Sequence, residues 1–287
     1  MKKKEKILII GGSSFVGNFL ILSLRRYFQL TSTFFNTKNK FLDKVRNIKF
    51  NFQKIHSIQS FGNFDVIIHL ATQKNLLQNK KYFKFEKLFL DKITNYCLKK
   101  NIRFIYISTS LVYKKNNNNN ENCPKTFSHK NHYIKSKIIF DRMIQNKMEL
   151  GLKALMLRIP SIYSSKLDEI KLVRLIKNKL ENNEIINFYK STSNNIRFVY
   201  LGDISKIIKK SIKLNINGIY NLESGENIRI IDIINILKKK LKSNSKIKTI
   251  KRKIDNLDYP FLNIKKIKRD FDFVPQKKFN FFLEKIK

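Results

Sequence analysis

Short apolar runs alternate along the first half of the chain with longer segments whose apolar residues recur at helical spacing. The short runs are rich in β-branched and aromatic residues, which is typical of strands, and some are continuous enough to be buried on both faces. Strands are predicted at the start of residues 6–20 and at residues 29–35, 48–52, 65–70 and 102–108. Helices are predicted at residues 16–28 and 82–99, over the segment HYIKSKIIFDRMIQ, and later at 230–241. This alternation predicts the α/β class with a Rossmann-like, doubly wound parallel sheet.

The first strand and helix meet in the stretch 6–20, KILIIGGSSFVGNFL. Gly11 allows a sharp turn off the strand, and Gly17 allows the helix to pack closely against it. Backbone N–H groups between them point outward, so the turn can hold a dinucleotide pyrophosphate at the positive end of the helix dipole. Ser14 occupies the middle glycine position of the G-x-x-G-x-x-G pattern, and a short turn with glycines is often only a turn. The motif alone leaves both interpretations open.

Ligands of doubly wound sheets bind beyond the carboxyl ends of the strands, so Gly11, Ala71 and Thr109 are expected to lie close together. His69 ends the fourth predicted strand. Because no carboxylate is visibly placed to tune His69, we expect a packed, hydrogen-bonded residue there rather than a catalyst.

The end of the second predicted strand bears on the choice of cofactor. NAD-binding folds commonly place an acidic residue there to bind the adenosine ribose, whereas this chain has Asn36, Thr37 and Lys38. None of the three would repel the 2′-phosphate of NADP, although Lys38 can equally be one more surface lysine.

Tyr133 and Lys137 lie one turn apart on the same face of an amphipathic helix. A free tyrosine, with a pKa of ~10, is too weak an acid to serve as a base at neutral pH, and a nearby ammonium would lower that pKa. The Tyr-x-x-x-Lys pattern also arises by chance in a chain rich in both residues. Before this helix, the polar loop 114–130 contains the asparagine run 116–120, which is predicted to be mobile.

The net charge of +39 would ordinarily suggest a nucleic-acid or membrane partner. The lysines are spread along all 287 residues, however, and the abundance of Lys, Asn, Ile and Phe without Trp suits an A/T-rich coding sequence. No basic stripe, aromatic RNA-binding signature or helix-turn-helix pattern accompanies the charge. We therefore expect neither nucleic acid nor membrane as a partner, while an acidic substrate suits the positive field.

Cysteine usage and the N-terminus bear on the compartment. Cys97 and Cys123 are too few for a disulfide framework, and with the four histidines they show no metal-ligand spacing, so we expect no metal. MKKKEK followed by ILII resembles a secretory signal, but glycines interrupt the apolar part and no small-x-small cleavage site follows. No later apolar run approaches the length of a membrane span. A cytoplasmic protein is expected.

Seven motifs recur in an order that resembles the extended short-chain dehydrogenase/reductase family, specifically its nucleotide-sugar epimerase, dehydratase and ketoreductase members. They are GGSSFVG, DVIIHLAT, ISTSLVY, Tyr133-x-x-x-Lys137, LRIPSIY, FVYLGDI and GIYNLESGE. Each motif is loose by itself, but together they extend over most of the chain with the expected spacing.

The resemblance assigns roles to individual residues. It implies a catalytic set of Thr109, Tyr133 and Lys137, in which Thr109 bonds the reacting oxygen and Lys137 also holds the nicotinamide ribose. The cofactor, NADP or NAD, is expected to bind at Gly11, Ser14, Phe15, Val16, Gly17, Asn36, Lys38, Asn51, Leu70, Ala71, Tyr133, Lys137 and Pro160. Substrate-binding candidates are Ser161 and Arg197.

Besides Ser14 in the middle glycine position, three of these positions depart from the family pattern. Asn51 stands where many members have Asp near the adenine, and Ser161 where some have an Asn that binds the substrate phosphates. Arg197 is one residue out of register with the family's phosphate-binding Arg, and a one-residue slip in a strand reverses the direction of a side chain. Ser110 and Leu111 follow Thr109 where 4,6-dehydratases have an Asp-Glu pair.

The resemblance implies a cofactor domain at residues 1–165 and a smaller substrate-binding lobe at 166–287, with some later segments returning to the main sheet. The expected function is nucleotide-sugar oxidation and reduction with a nucleotide-sugar substrate, by a 4-ketoreductase or an epimerase. The alternative is a family member that binds NAD(P) without turnover, as a scaffold or sensor. A homodimer is compatible with either, and the sequence leaves the oligomeric state open.

Overall fold

The computed structural model describes residues 4–37, 45–51, 58–72, 80–114, 118–123, 131–165, 170–189, 195–250 and 260–276, together with 279 and 283. Its strands are β1 (Lys6–Ile10), β2 (Gln29–Phe34), β3 (Arg46–Lys49), β4 (Val66–His69), β5 (Arg103–Thr109), β6 (Ala154–Ile159), β7 (Ser161–Tyr163), β8 (Ile186–Tyr189), β9 (Asn195–Tyr200), β10 (Gly218–Asn221), β11 (Asn227–Arg229) and β12 (Ile247–Ile250). Its helices are α1 (Phe15–Leu24), α2 (Lys80–Lys99), α3 (His132–Glu149), α4 (Lys171–Glu181), α5 (Leu201–Leu214), α6 (Ile230–Lys240) and α7 (Lys265–Phe271). Short 3₁₀ helices lie at Ile58–Phe61 and Ser110–Val112.

Seven strands form the main sheet in the order β10-β6-β5-β4-β1-β2-β3. β1 lies inside the sheet and pairs in parallel with both β2 and β4, and the outward pairs β2–β3 and β4–β5 are also parallel. Residues Ile7 to Ile10 of β1 are completely buried, as expected for a parallel strand covered on both faces. The predicted Rossmann-like α/β fold is confirmed, with smaller sheets towards the C-terminus.

The smaller sheets belong to the later part of the chain. β9 lies between β7, to which it is parallel, and β11, to which it is antiparallel. β8 and β12 form a parallel pair. A separate core accompanies these strands, in which the ring of Phe198 stacks on that of Phe279 with centroids 4.2 Å apart.

The chain divides into two compact units that alternate along the sequence. The first comprises Met1–Val112, Pro124–Arg158 and Ser205–Tyr220. The second comprises Tyr113–Cys123, Ile159–Ile204 and Asn221–Lys287. Within the described residues, no helix is long and apolar enough to cross a membrane.

The asparagine run 116–120 was expected to be mobile, but Asn119 is held firmly in the second unit. Its backbone N–H donates to the carbonyl of Phe261 at 2.9 Å, and its carbonyl accepts from the backbone N–H of Asn263 at 2.8 Å. The side-chain amide of Asn221 donates to the same carbonyl at 2.9 Å. Because buried backbone groups need partners, these bonds allow Asn119 to be almost fully buried, and the predicted mobility is wrong at this residue.

Gly17 gives a test of how closely α1 packs on the turn before it. A Cβ atom at this position would lie 2.6 Å from the carbonyl oxygens of Gly11 and Gly12, which are backbone atoms that cannot rotate away. We expect Gly17→Ala to lower the free energy of unfolding by about 1–3 kcal/mol, as overpacking does in a filled interior. Urea unfolding followed by circular dichroism measures this change.

Leu22→Ala is the matched control, because Leu22 lies on the same helix and its side chain is partly exposed. Its effect on the free energy of unfolding should be clearly smaller than that of Gly17→Ala. Equal stability of Gly17→Ala and the parent protein would contradict the close packing.

Candidate active site

The turn between β1 and α1 has the backbone geometry of an anion-binding turn. Gly11 adopts a φ of +86°, a conformation that side-chain-bearing residues rarely reach, and its N–H donates to Thr33 Oγ1 at 3.1 Å. Ser14 caps the helix, because its Oγ accepts the N–H of Gly17 at 3.0 Å. The first N–H groups of a helix have no partner inside it, so those of Phe15 and Val16 remain available to an anion beside the turn.

The turn packs so closely against its neighbours that a larger residue at Gly11 or Gly12 would collide with them. A glycine turn of this kind suits a dinucleotide, whose pyrophosphate binds close to the backbone. A Cβ atom on Gly11 would lie 2.8 Å from the backbone nitrogen of Ala71, and one on Gly12 would lie 2.0 Å from Ser32 Oγ. The backbone N–H of Leu70 donates to the carbonyl of Ile10 at 2.9 Å, which continues the pairing of β4 with β1 up to the turn. Gly11 and Ala71 therefore meet at the carboxyl edge of the sheet.

Thr109 is the last residue of β5, the strand next to β4 at this edge. It is largely buried, and its Oγ1 accepts the N–H of Leu111 at 3.3 Å, at the start of the 3₁₀ helix Ser110–Val112. Both β5 and this 3₁₀ helix pack against α3. Thr109 thus ends a strand that packs against the helix carrying Tyr133 and Lys137.

Helix α3 begins at the predicted segment because Asn131 caps it. The side-chain oxygen of Asn131 accepts the N–H groups of Tyr133 at 2.9 Å and Ile134 at 3.4 Å. Tyr133 is half-buried, whereas Lys137 is buried with 5% of its surface exposed. The Lys137 ammonium nitrogen lies 5.8 Å from the centre of the Tyr133 ring. The helix therefore brings the phenol and the ammonium together as their spacing predicts.

A buried ion pair anchors α3 to the main sheet. Arg158 of β6 donates through Nε and Nη2 to the two carboxylate oxygens of Asp141, each at 2.9 Å. Ser108 of β5 donates to the same carboxylate at 3.1 Å. Both charged side chains are fully buried, and bidentate pairs of this kind fix direction as well as distance. The position of Lys137, one turn before Asp141, follows from this anchor.

Lys137 also contacts residues that sequence reasoning missed. Its ammonium donates to Tyr106 Oη at 3.0 Å and to Thr72 Oγ1 at 3.4 Å. Burial lowers the pKa of Lys137 to about 8, and the carboxylate of Glu86 opposes this shift. The sequence does mark Glu86 as unusual, because it is an acid on the apolar face of α2, three residues from both Phe83 and Phe89. Nothing comparable marks Tyr106.

His69 is a packed residue in the structure. Its ring stacks on those of Phe104 and Tyr106, with centroids 6.3 and 6.0 Å away, and it is almost fully buried. Burial, to which the charge of Lys137 adds, lowers the pKa of His69 to about 3. A histidine in this state is neutral at physiological pH, which agrees with a packing role.

The remaining predicted cofactor residues lie at the ends of strands. Asn36 is exposed shortly after β2, and Asn51 is half-buried shortly after β3. Pro160 directly follows β6 in the second unit and is buried. Lys38 lies outside the described residues.

The two substrate-binding candidates both belong to the second unit. Ser161 is half-buried at the start of β7. Arg197 is buried and forms a bidentate ion pair with Glu223, in which Nε lies 2.7 Å from Oε2, while its guanidinium lies 4.1 Å from the centre of the Phe261 ring. The structure therefore uses Arg197 in an internal ion pair.

No group of three or more His, Cys, Asp or Glu side chains within the described part of the chain could hold a metal ion.

Known proteins share this fold over nearly the whole chain. The structure of UDP-N-acetylglucosamine 4-epimerase from Methanobrevibacter ruminantium, in complex with UDP-N-acetylmuramic acid, matches with a TM-score of 0.83 at 19% identity and covers 98% of this chain and 96% of that one. The UDP-glucose 4-epimerase of Thermus thermophilus, in complex with NAD, matches with a TM-score of 0.81 at 17% identity, covering 97% and 96%. At these identities the likeness establishes the fold.

Sequence comparison also finds a protein that acts on a nucleotide sugar. The dTDP-D-glucose 4,6-dehydratase of Dictyostelium discoideum is 25% identical over 268 residues, which cover 80% of this chain and 60% of that protein. The chain thus spans about 60% of the length of this relative. A family model described as "NAD dependent epimerase/dehydratase family" matches residues 7–222. Because that match includes the glycine turn, Thr109, Tyr133 and Lys137 and spans well over half of the chain, this protein belongs to the NAD dependent epimerase/dehydratase family.

Proposed function

We propose that this protein is an NAD(P)-dependent nucleotide-sugar oxidoreductase that acts on a nucleoside-diphosphate hexose, as a 4-ketoreductase or an epimerase. The observation that carries the proposal is the half-buried Tyr133 one helical turn from the buried ammonium of Lys137. A phenol beside a buried cation suits proton transfer at a sugar oxygen, because the cation stabilises the phenolate. The nicotinamide cofactor, when bound, supplies the hydride chemistry.

Each residue of the catalytic set has a separate task in this proposal. Tyr133 takes the proton from the sugar hydroxyl during oxidation and returns it to the carbonyl oxygen during reduction. Lys137 stabilises the phenolate form of Tyr133 and donates to the nicotinamide ribose. Thr109 donates to the reacting sugar oxygen and so fixes its distance from Tyr133.

The cofactor would be held mainly by backbone groups. The N–H groups of Phe15 and Val16 at the N-terminus of α1 would bind its pyrophosphate, and Gly11 would permit the close approach. Asn36 would bind the adenosine ribose and Asn51 the adenine, and Leu70, Ala71 and Pro160 are proposed as further cofactor-binding residues. Lys38 is proposed to assist at the ribose.

The proposed substrate class follows from the proteins that share the fold. The solved epimerases carry UDP-N-acetylmuramic acid or UDP-glucose in their complexes. A net charge of +39 favours an anionic substrate of this kind by long-range attraction. Ser161 is proposed to contact the substrate.

A binding protein without turnover is the second candidate. It is favoured by Arg197, whose guanidinium is paired with Glu223 and so is committed inside the protein, and by Ser14 in the middle glycine position. The catalytic set of Thr109, Tyr133 and Lys137 favours the enzyme.

Cofactor preference is the first test of the proposal. Residues 36 and 37 are Asn and Thr and not acids that would repel a 2′-phosphate, so NADPH should bind at least as well as NADH. Asn36→Asp is the matched variant, because its new charge should repel the 2′-phosphate and weaken NADPH binding by roughly tenfold while leaving NADH binding nearly unchanged. Fluorescence titration of both cofactors measures these affinities. A tenfold preference of the parent protein for NADH would contradict the expectation.

The reaction outcome is the second test. Ser110 and Leu111 follow Thr109, and neither side chain is a general acid or base suited to eliminating water from the sugar. The protein should therefore form no 4-keto-6-deoxy sugar from an unmodified nucleotide hexose. Mass spectrometry of overnight reactions with UDP- and dTDP-glucose checks this, and a product that has lost the mass of one water molecule would refute it.

Mutation of the catalytic set separates an enzyme from a binding protein. Tyr133→Phe removes the proton carrier and should lower turnover by roughly 10²- to 10⁴-fold while cofactor affinity hardly changes. Lys137→Met should weaken both turnover and cofactor binding, and Thr109→Ala should resemble Tyr133→Phe more mildly. Single-turnover hydride transfer, followed by cofactor absorbance beside cofactor titrations, measures both quantities.

Tyr96→Phe serves as the control for the loss of a phenol, because Tyr96 is half-buried on α2 and should not affect turnover. If Tyr133→Phe reacts as fast as the parent on a confirmed substrate, the proton-transfer role is wrong.

A further inference from the structure

The Lys137 ammonium is enclosed by protein groups instead of water. Its nitrogen lies 3.0 Å from Tyr106 Oη, 3.4 Å from Thr72 Oγ1 and 4.9 Å from the centre of the Tyr106 ring. Burial of a cation disfavours its charged form, so neighbouring groups decide whether Lys137 remains an ammonium. A neutral Lys137 could neither stabilise the Tyr133 phenolate nor act as a strong donor to the ribose.

Glu86 is a buried acid on α2, the helix that packs against α3. α2 and α3 lie side by side and run in the same direction, because Phe83 stacks on Phe140 at 5.7 Å and, further along both helices, Asp91 pairs with Lys147 at 3.4 Å. Glu86 lies one turn after Phe83 on α2, and Lys137 lies one turn before Phe140 on α3, so the two residues are staggered along the helices. Burial lowers the pKa of Lys137 and raises that of its hydrogen-bond partner Tyr106, and the charge of Glu86 raises both. Glu86 is 1% exposed, so its charge acts on Lys137 with little screening by water.

The other titratable groups around Lys137 contribute little negative charge. His69, which packs from β4, is neutral because its pKa is lowered to about 3. Tyr106, from β5, stays protonated because burial raises its pKa well above the ordinary value. On α3 itself, Asp141 is committed to its bidentate pair with Arg158. Tyr133 supplies a ring face 5.8 Å away.

We propose that Glu86 and Tyr106 are positioning residues that keep Lys137 charged and directed at the reaction site. Glu86 supplies the compensating negative charge, and Tyr106 Oη accepts a hydrogen bond from the Lys137 ammonium. The functional part of this inference rests on the proposed function, since it assumes that the charge of Lys137 is used in catalysis. Its physical part concerns only the protein itself and can be tested without a substrate.

The direct test follows the titration of Lys137 through protein stability. The ordinary lysine pKa is ~10.4 in an unfolded chain and about 8 in this site, so between these values the unfolded state binds more protons and the stability contributed by Lys137 rises with pH. The difference in unfolding free energy between the parent and Lys137→Met isolates this rise. Urea unfolding at intervals from about pH 6 to pH 10 measures it.

The same difference is then measured in two further backgrounds, Glu86→Gln and Tyr106→Phe. Each variant removes a partner of the ammonium, so the rise should begin about one pH unit lower than in the parent. Asp91→Asn is the matched control, because it removes an acid of α2 that pairs at the surface with Lys147, and it should leave the onset unchanged. An unchanged onset in both Glu86→Gln and Tyr106→Phe would overturn the proposal. If Glu86→Gln fails to fold, the onset measured in Tyr106→Phe still tests the proposal.

A second measurement links the charge to cofactor binding. At about pH 8 roughly half of Lys137 is charged in the parent, and a pKa one unit lower would leave about one-tenth charged. NADH affinity of Glu86→Gln should therefore fall by roughly fivefold at pH 8 and hardly at all at pH 6. An equal loss at both pH values indicates a merely structural effect and contradicts the proposal. Absence of turnover on every nucleotide sugar would refute the proposed function but leave both measurements valid.

Discussion

Burial of the Lys137 ammonium is the interaction on which the arrangement of the site depends. A cation removed from water requires compensation, and the sheet and helices around it supply a phenol, a threonine hydroxyl and the charge of Glu86. His69 is driven to its neutral form by the same burial and by the lysine itself. His69, at the end of β4, thus owes its neutral form to burial and to this lysine, whereas burial keeps Tyr106 of β5 protonated by raising its pKa.

Each compact unit contains a buried bidentate pair of arginine and carboxylate among its described residues. Arg158 and Asp141 fix α3 on the main sheet, whereas Arg197 and Glu223 join β9 to the segment after β10. Breaking a buried pair leaves an uncompensated charge, so each pair strongly specifies the geometry around it. In a chain whose cations far outnumber its acids, these carboxylates have structural tasks that the surface lysines do not share.

The sequence predicted most of the fold because its signals are local. Continuous apolar runs marked β1, β4 and β5 to within a residue, and glycines marked the first turn. α1 ends at Leu24 instead of Phe28, since the apolar pattern continues into a turn whose Phe28 packs in the core without being helical. An apolar pattern therefore predicts which residues are buried better than it predicts where a helix ends.

The site was predicted only as far as its residues lie in motifs. The assignment of Thr109, Tyr133 and Lys137 rests on motifs that resemble the family, and helical spacing by itself predicted only that Tyr133 and Lys137 share one face of a helix. Tyr106 has no such signal, and Glu86 is marked only as an acid on the apolar stripe of α2, because the effect of both residues on Lys137 arises from the packing of α2, α3 and β5. The asparagine run misled for a similar reason, since the partners of Asn119 lie more than a hundred residues away in sequence.

The proposed function requires this chain to bind both a nicotinamide dinucleotide and a nucleotide sugar. Thermal unfolding of the intact protein against NAD(H), NADP(H) and a panel of nucleotide sugars tests it most directly, because ligands that bind the folded state raise the melting temperature by mass action. We expect stabilisation by a dinucleotide, a further increase with at least one nucleotide sugar, and loss of much of the dinucleotide effect in Lys137→Met. No stabilisation by any dinucleotide at millimolar concentration would contradict the proposed function.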